Sequence, residues 1–366
     1  MKVVCLQENL KHSISYLERI VSRNQNTPIL SNILLKADGG MLVLFGTDLE
    51  VSVDVAIPCK VEKKGEVVVP IKLITHFIQN LPNTKITIEE KGNKLFIEAE
   101  DTKTTIPTAS KNEFPLIPKI KPELSIEIQP EPLKTGLLQV LNSTAISYSI
   151  PEISGIFFDF KQDLMKIVST DSFRLSEKVV YKKNNFQMKG EYSFILPQKT
   201  AQELARAIEQ SAPIFIHLEQ NQAHFKFEHI NIISRLISGT YPNYEQIIPK
   251  HTKTKISLNK TEFSSKVKLA GGFTSKLNDV KFTAHVKKGT LEVRAADEAK
   301  GDLLSVIHAE MGGENTEAAF NHKYILDGLA NIIGEEVVFE LNGPAAPAIL
   351  APKNDGYRYV VMPIKV

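Results

Sequence analysis

Apolar side chains recur along this chain at two spacings. In residues 85–90 and 94–99 they fall at every second position, the period of a strand with one buried face, and Lys91-Gly92-Asn93 between them reads as a hairpin turn. Residues 215–218 and 223–227 repeat the arrangement around another polar turn. Elsewhere the spacing becomes helical. Leu10, Ile14, Leu17 and Val21 share one helix face, as do Ile74, Phe77, Ile78 and Leu81, and then Ala201, Leu204, Ala205 and Ile208. The pattern predicts an α+β protein with helices packed on one side of antiparallel sheet.

Three markers in this pattern recur in a fixed order. An alternating run leads straight into an amphipathic segment at residues 2–6 and 8–21, at 124–128 and 131–141, and at 255–258 and 262–270. A tight turn and a strand ending on an aspartate follow, at Asp48, Asp171 and Asp297, which lie 123 and 126 positions apart. A strand then breaks into a second helix at Pro70, Pro197 and Asn321, spaced by 127 and 124, with helices predicted over 71–81, 198–210 and 322–333. Proline is expected in the first turn of such a helix, and asparagine as its cap. A period near 125 is that of a domain, not of a solenoid unit. The reading is three similar domains, residues 1–119, 120–249 and 250–366, each with two helices and about eight short strands. The Pro-rich stretch around Pro115, Pro118 and Pro122 and the segment from Pro249 to Lys253 are the expected junctions.

Composition narrows the function. Apolar residues make up 42% and charged residues 23%, ordinary for a globular protein. No run approaches the roughly 18 uninterrupted apolar residues of a membrane helix. The N-terminus turns polar too early for a secretory signal, and Cys5 and Cys59 make neither a disulfide framework nor a zinc site. A cytoplasmic protein with buried thiols is expected. Lys and Arg total 44 against 42 Asp and Glu, a net charge of +2, so any nucleic-acid contact requires positive charge segregated onto one surface.

No phosphate-cradling loop, HExxH, CxxC or GxSxG occurs, so no cofactor or metal is expected. His217, His224 and His229 sit on or beside predicted strands and read as structural. Asp159, Asp163 and Asp171 read as turn and cap residues. Basic side chains lie off the apolar helix stripes: Lys11, Arg19, Lys72, Lys199, Arg206, Lys266, Lys268 and Lys323. Their plain reading is a solvated face. The sharper one is that equivalent helices of all three domains turn them toward one axis. The C-terminal segment from Tyr359 to Val366 is apolar to its end, and Pro363 should stop strand pairing there, leaving Met362, Ile364 and Val366 beside an edge as a partner surface.

Five segments complete the picture: Thr27-Pro28-Ile29-Leu30-Ser31-Asn32-Ile33-Leu34-Leu35, Gly46-Thr47-Asp48-Leu49-Glu50, Ser169-Thr170-Asp171-Ser172-Phe173-Arg174-Leu175, Ser234-Arg235-Leu236-Ile237-Ser238-Gly239-Thr240-Tyr241-Pro242-Asn243-Tyr244, and the tail. Together they make the chain resemble, along its whole length, the bacterial DNA polymerase III beta subunits, the sliding clamps. The resemblance implies three tandem DNA-clamp domains, closing as a head-to-tail homodimer into a six-domain ring with helices inside. It implies a non-catalytic processivity factor that encircles double-stranded DNA without base readout and tethers the DNA polymerase III alpha subunit, the clamp loader, and other polymerases and repair proteins.

By position, the resemblance places Ile106 and Phe273 near the dimer contact. It places pore DNA contacts at Asn24 and Ser147, with Pro151 and Glu152 where tyrosines occur in the family; Arg23 can compensate for Asn24. The helix cations named above would line the pore. A groove for short peptide motifs would be formed by Ile153, Thr170, Ser172, Phe173, Arg174, Leu175, Pro242, Ile247, Pro344, Ala346, Val360, Val361, Met362, Pro363 and Ile364. Its apolar members would bury Leu and Phe side chains, while Thr170 and Arg174 orient the peptide. Ser172-Phe173 replaces a usual Gly-His pair, which would narrow the groove. Simple packing at a domain junction is the alternative role, stronger for Leu175 and Ile247 than for the tail. Two other readings stand beside the clamp: a peptide-docking scaffold that does not bind DNA, favoured by the low net charge, and a hydrolase with an unrecognised site.

Overall fold

The computed structural model describes residues 1–21, 27–116, 124–146, 149–188, 190–209 and 212–365. The first copy of the repeat runs β1 (Lys2–Leu6), α1 (Gln7–Val21), β2 (Asn32–Asp38), β3 (Met41–Thr47), β4 (Val51–Pro58), β5 (Lys60–Lys63), β6 (Gly65–Pro70), α2 (Ile71–Gln79), β7 (Lys85–Lys91), β8 (Lys94–Ala99) and β9 (Thr102–Pro107). The second runs β10 (Leu124–Ile128), α3 (Pro130–Val140), β11 (Gly155–Phe160), β12 (Leu164–Thr170), β13 (Arg174–Tyr181), β14 (Phe186–Gln187), β15 (Tyr192–Pro197), α4 (Gln198–Ala207), β16 (Ile214–Glu219), β17 (Gln222–Phe227) and β18 (Ile230–Arg235). The third runs β19 (Thr254–Asn259), α5 (Lys260–Gly271), β20 (Asp279–His285), β21 (Thr290–Asp297), β22 (Gly301–His308), β23 (Glu310–Gly313), β24 (Thr316–Asn321), α6 (His322–Asn331), β25 (Glu336–Leu341), β26 (Ala348–Ala351) and β27 (Tyr357–Val361). Each copy has the same order and, among the described residues, nine strands where about eight are expected. The short β5, β14 and β23 span too few residues to show a period.

The chain divides into two compact units: Met1–Glu131 with Phe186–Met188 and Arg206–Leu236, and Pro132–Asn185 with Lys189–Ala205 and Ile237–Val366. The first holds a five-stranded sheet, β5-β1-β7-β8-β9, and a nine-stranded sheet, β14-β10-β16-β17-β18-β4-β3-β2-β6. The second holds a nine-stranded sheet, β15-β11-β12-β13-β27-β26-β25-β19-β23, and a four-stranded sheet, β22-β21-β20-β24. Each nine-stranded sheet fuses a five-stranded sheet of one copy with a four-stranded sheet of another. The seam in the first unit is antiparallel β18 against β4, from Ile230↔Val55 to Ser234↔Val51. In the second it is β13 against β27, from Arg174↔Val361 to Lys178↔Tyr357.

The repeated aspartates have one local job. Asp48 Oδ1 accepts the backbone N–H groups of Glu50 and Val51 at 3.1 and 2.8 Å, closing the β3–β4 turn. Asp171 Oδ1 does the same for Phe173 and Arg174 at 3.0 and 2.9 Å between β12 and β13. Asp297 Oδ1 accepts from Ala299 and Lys300 at 3.0 and 3.2 Å between β21 and β22. A short side chain that reaches its own backbone two and three residues ahead is what a tight connection needs.

Helix ends depart from the sequence reading in detail. Pro70 and Pro197 close the edge strands β6 and β15 instead of opening the helices. Pro70 is the cap, at φ −62 and ψ 122, and its missing N–H costs little at a sheet edge. Asn321 does cap α6, its side chain accepting from Lys323 N at 2.9 Å. Helices α2, α4 and α6 stop two or three residues earlier than the periodicity suggests, because the final apolar residue packs after the backbone has left the helix, as buried Ile208 and Ile332 do. Cys5 is buried, which pushes its thiol up to about 12, whereas Cys59 is only half-buried, not fully as expected.

Candidate functional site

All fifteen groove candidates fall within the second unit, with residues 170–175 at the turn from β12 to β13 and 360–364 at the end of β27 and beyond it. Thr170 Oγ1 donates to the Arg174 carbonyl at 2.7 Å and accepts from Ser172 N at 3.1 Å. Ser172 is thereby held at φ 74, a left-handed conformation that favours glycine. Phe173 stands at the tip with 61% of its surface exposed. Its carbonyl accepts the N–H of Met362 at 2.9 Å, one step beyond the β13–β27 ladder.

Beneath the turn lies a buried apolar cluster of Val168, Leu175, Ile195, Tyr241, Tyr244, Ile349 and Val360, against which Ile237 and Ile248 pack. Tyr241 stacks on Phe157 with ring centroids 4.8 Å apart, and Tyr244 donates to the buried Glu177 carboxylate at 3.0 Å. Burial raises both phenol pKa values, and Glu177 raises that of Tyr244 further. Pro242 and Ile247 lie exposed on either side of Tyr244. Ile153, on a short helical turn before β11, is buried.

The tail begins as a docked strand, β27, which ends at Val361, before Pro363. Val360 and Val361 are 1% and 0% exposed and belong to the cores of this unit, so their apolar character serves packing first. Met362, Pro363 and Ile364 are half-buried, and Ile364 N donates to the Ala319 carbonyl at 2.8 Å. Two backbone bonds outside any strand pin the segment that follows β27, which the sequence places beside a sheet edge. Conversely Ile247, for which packing was the stronger alternative, is 42% exposed. Pro344 and Ile364 line a separate cavity of about 620 Å³ with Asp279, Arg294 and Ala319, and half-buried Ala346 follows in the same loop. Val366 lies outside the described residues.

The Arg174 guanidinium points into the protein. Its Nε donates to Asp171 Oδ2 at 2.9 Å, its Nη1 donates to Asp327 Oδ2 on α6, and it lies 4.6 Å from the Tyr324 ring centroid. Tyr241, Tyr244, Tyr324 and Asp327 were not singled out as site residues. The Tyr241-Pro242-Asn243-Tyr244 segment is visible as a pattern, but Tyr324 and Asp327, 150 and 153 positions from Arg174 in sequence, leave no local signal.

The helix cations occupy solvent-accessible positions on their own elements. Lys11, Lys72, Arg206, Lys268 and Lys323 are exposed; Arg19, Lys199 and Lys266 are half-buried. Between α5 and α6, Lys260, Thr261, Ser264, Ser265 and Lys268 face Asp327 across a cavity of about 490 Å³. Arg23, Asn24 and Ser147 fall outside the described residues; Pro151 is exposed and Glu152 half-buried. Ile106 lies on the edge strand β9 but turns its side chain inward, at 4% exposure, and Phe273 packs half-buried just after α5. Among the described residues no group of three or more His, Cys, Asp or Glu side chains could hold a metal ion. His224 instead bonds Asn231, at 3.1 Å.

This arrangement matches known proteins along its full length. Profiles of the DNA polymerase III beta subunit cover the chain in order: the N-terminal domain over residues 1–118, the central domain over 127–243 and the C-terminal domain over 245–365. The chain belongs to the DNA polymerase III beta subunit family. The beta sliding clamp of Synechococcus elongatus is 26% identical over 375 residues, and that of Rickettsia bellii 28% over 387, with 100% of both chains covered in each pair. The DNA polymerase III subunit beta of Pseudomonas aeruginosa, solved with griselimycin bound, shares the fold at a TM-score of 0.95 and 25% identity over 100% of both chains. The Thermotoga maritima beta subunit shares the fold at 0.93, with 100% of this chain and 99% of that one covered. The fold is thus the three-domain clamp fold, and the function is that of a DNA polymerase III processivity clamp. The names of its relatives describe a sliding clamp. No helix among the described residues is long and apolar enough to cross a membrane.

Proposed function

We propose that two copies of this chain close head to tail into a six-domain ring around duplex DNA. One observation carries this reading. In each copy one strand of the five-stranded sheet (β9, β18 or β27) and one of the four-stranded sheet (β4, β13 or β22) are equivalent ends. Within the chain β18 pairs with β4 and β27 with β13; among the described strands, β9 and β22 are the two left without this partner. The same joint made twice more between two copies uses every such edge and completes a closed, heterologous assembly. In this reading Ile106 on β9 and Phe273 after α5 belong to the joint between copies, with the inward side chain of Ile106 supporting its strand from below.

In this reading the domains are residues 1–119, 120–249 and 250–366. Lys11, Arg19, Lys72, Lys199, Arg206, Lys266, Lys268 and Lys323, with Arg23, attract the phosphate backbone, and Asn24 offers it only a neutral amide. Phosphate contacts carry no sequence information, and a modest charge keeps the attraction weak enough for sliding. The exposed rim of Phe173, Pro242 and Ile247, with Met362 and Pro363 beside it and the tyrosine-backed cluster below, receives short apolar peptide segments of the polymerase III alpha subunit, the clamp loader and repair proteins. The protein acts in the cytoplasm, and the clamp itself breaks and makes no bond. The test is loader-dependent retention on nicked circular DNA, with release expected when the circle is cut. Equal loss from circular and linear DNA, or a monomer by light scattering across salt, overturns encirclement.

A further inference from the structure

The turn that opens the groove is built twice in this chain. Thr47, Asp48, Leu49, Glu50 and Val51 in the first copy correspond to Thr170, Asp171, Ser172, Phe173 and Arg174 in the second. Their internal bonds coincide: Thr47 Oγ1 donates to the Val51 carbonyl at 3.0 Å where Thr170 Oγ1 donates to that of Arg174 at 2.7 Å. Leu49 and Ser172 share the left-handed conformation, at φ 77 and φ 74. Even the strand that arrives alongside is received identically. Arg235 N donates to the Glu50 carbonyl at 2.9 Å, and Met362 N donates to the Phe173 carbonyl at 2.9 Å.

The first turn does all this with Val51, a side chain without a polar atom, in the place of Arg174. The arginine is therefore not needed to build the turn or to seat the neighbouring strand. Its contacts with Asp327 and Tyr324 are additional, and they run to α6. Those two residues stand three apart on α6, so they lie on one face and grip the planar guanidinium by charge and by ring. The stability gained from a partly buried ion pair is small, because the cost of desolvating the charges offsets their attraction. The other support of the tail also leads to α6: Ile364 hangs on Ala319 of β24, two residues before the Asn321 cap.

We propose that Asp327, which lies outside the groove, is a positioning residue for it. By holding the Arg174 guanidinium it ties the turn that carries Phe173 to α6, the helix that follows the β24 residue on which Ile364 hangs, and so sets how tightly an apolar peptide is received. This rests on the groove reading above and gives Arg174 an indirect role in place of a direct bond to the peptide.

The test uses the full chain and a peptide carrying fluorescein on its N-terminal amine, fluorescein-Ala-Leu-Ala-Leu-Phe-amide, read by anisotropy. D327N and R174Q should each weaken binding by about fivefold or more, and the double variant should be no weaker than R174Q alone, the non-additivity expected of one shared interaction. D327E should recover most of the affinity, whereas R174K, which keeps the charge but loses the fork, should not. A variant ending at Val361 separates the two readings. If truncation abolishes binding while D327N leaves it unchanged, the positioning role is overturned and the groove stands. If neither change matters, the groove reading falls with it. Additive losses in the double variant overturn the route through Arg174.

Discussion

Gly328 of α6 lies so close to Tyr359 of β27 that an added Cβ would stand 2.5 Å from the tyrosine Cδ1. The ring can then send its hydroxyl to the Tyr324 carbonyl at 2.8 Å and close the core of the third copy. G328A forces helix and strand apart; a loss of about 1–3 kcal/mol is expected, as for other overpacked cores, read as a lower urea midpoint at unchanged slope. An unchanged midpoint would mean the two elements are not in rigid contact.

Leu49 is a bulky residue at φ 77, where glycine is at ease. The left-handed conformation costs a non-glycine residue about 1–2 kcal/mol, while glycine adds about 0.5–1 kcal/mol of chain entropy to the unfolded state. L49G should therefore stabilise the first unit by about 0.5 kcal/mol, and S172G should do likewise for the second. Urea unfolding of each variant decides it, and a clear loss in either would show that side-chain contacts outweigh backbone strain.

Tyr244 donates to Glu177, a carboxylate with 2% exposure whose nearest cations are Arg358 at 3.7 Å and Lys166 at 4.0 Å. Y244F leaves that buried charge short of a donor. The expected cost is about 1.5–3 kcal/mol, the range for hydrogen bonds to charged groups, with the apolar cluster otherwise intact. A Y244F protein as stable as the parent would place water in the vacated position.

His217 and His224 face each other across β16 and β17, with ring centroids 5.7 Å apart, and Lys226, Asn231 and Asp54 complete their surroundings. Burial lowers both imidazole pKa values below the ordinary 6.5, and Lys226 adds to the effect. A base whose pKa is depressed by folding takes up protons more readily when unfolded. The stability they contribute is therefore complete above pH 6.5 and declines as pH falls below it. Asp54 acts in the opposite sense and at lower pH, because burial raises its carboxyl above 3.8 and protonation then favours the fold. Unfolding midpoints at stepped pH should fall below 6.5 in the parent and flatten in a variant with H217Q and H224Q; parallel curves would remove the histidines from the account.

The repeat, the element types and the turn aspartates were legible in the sequence because each depends on residues a few positions apart. Alternation, helical spacing and an aspartate that reaches its own backbone are local physics, and three copies of each confirm the period. Helix ends were read too long because periodicity records which side chains are buried, not where the backbone bonds stop. The tail shows the same limit: an apolar segment looks alike whether it is exposed for a partner or packed away, and Val360 and Val361 are packed away.

What the sequence by itself determined was a domain repeated three times and the family to which it belongs. The tertiary structure decided which strand edges are joined and which remain, where the Arg174 guanidinium points, and which apolar residues are left at a surface. These depend on contacts such as Arg174 with Asp327, 153 positions apart, and Leu175 with Val360, whose pairing no spacing along the chain encodes.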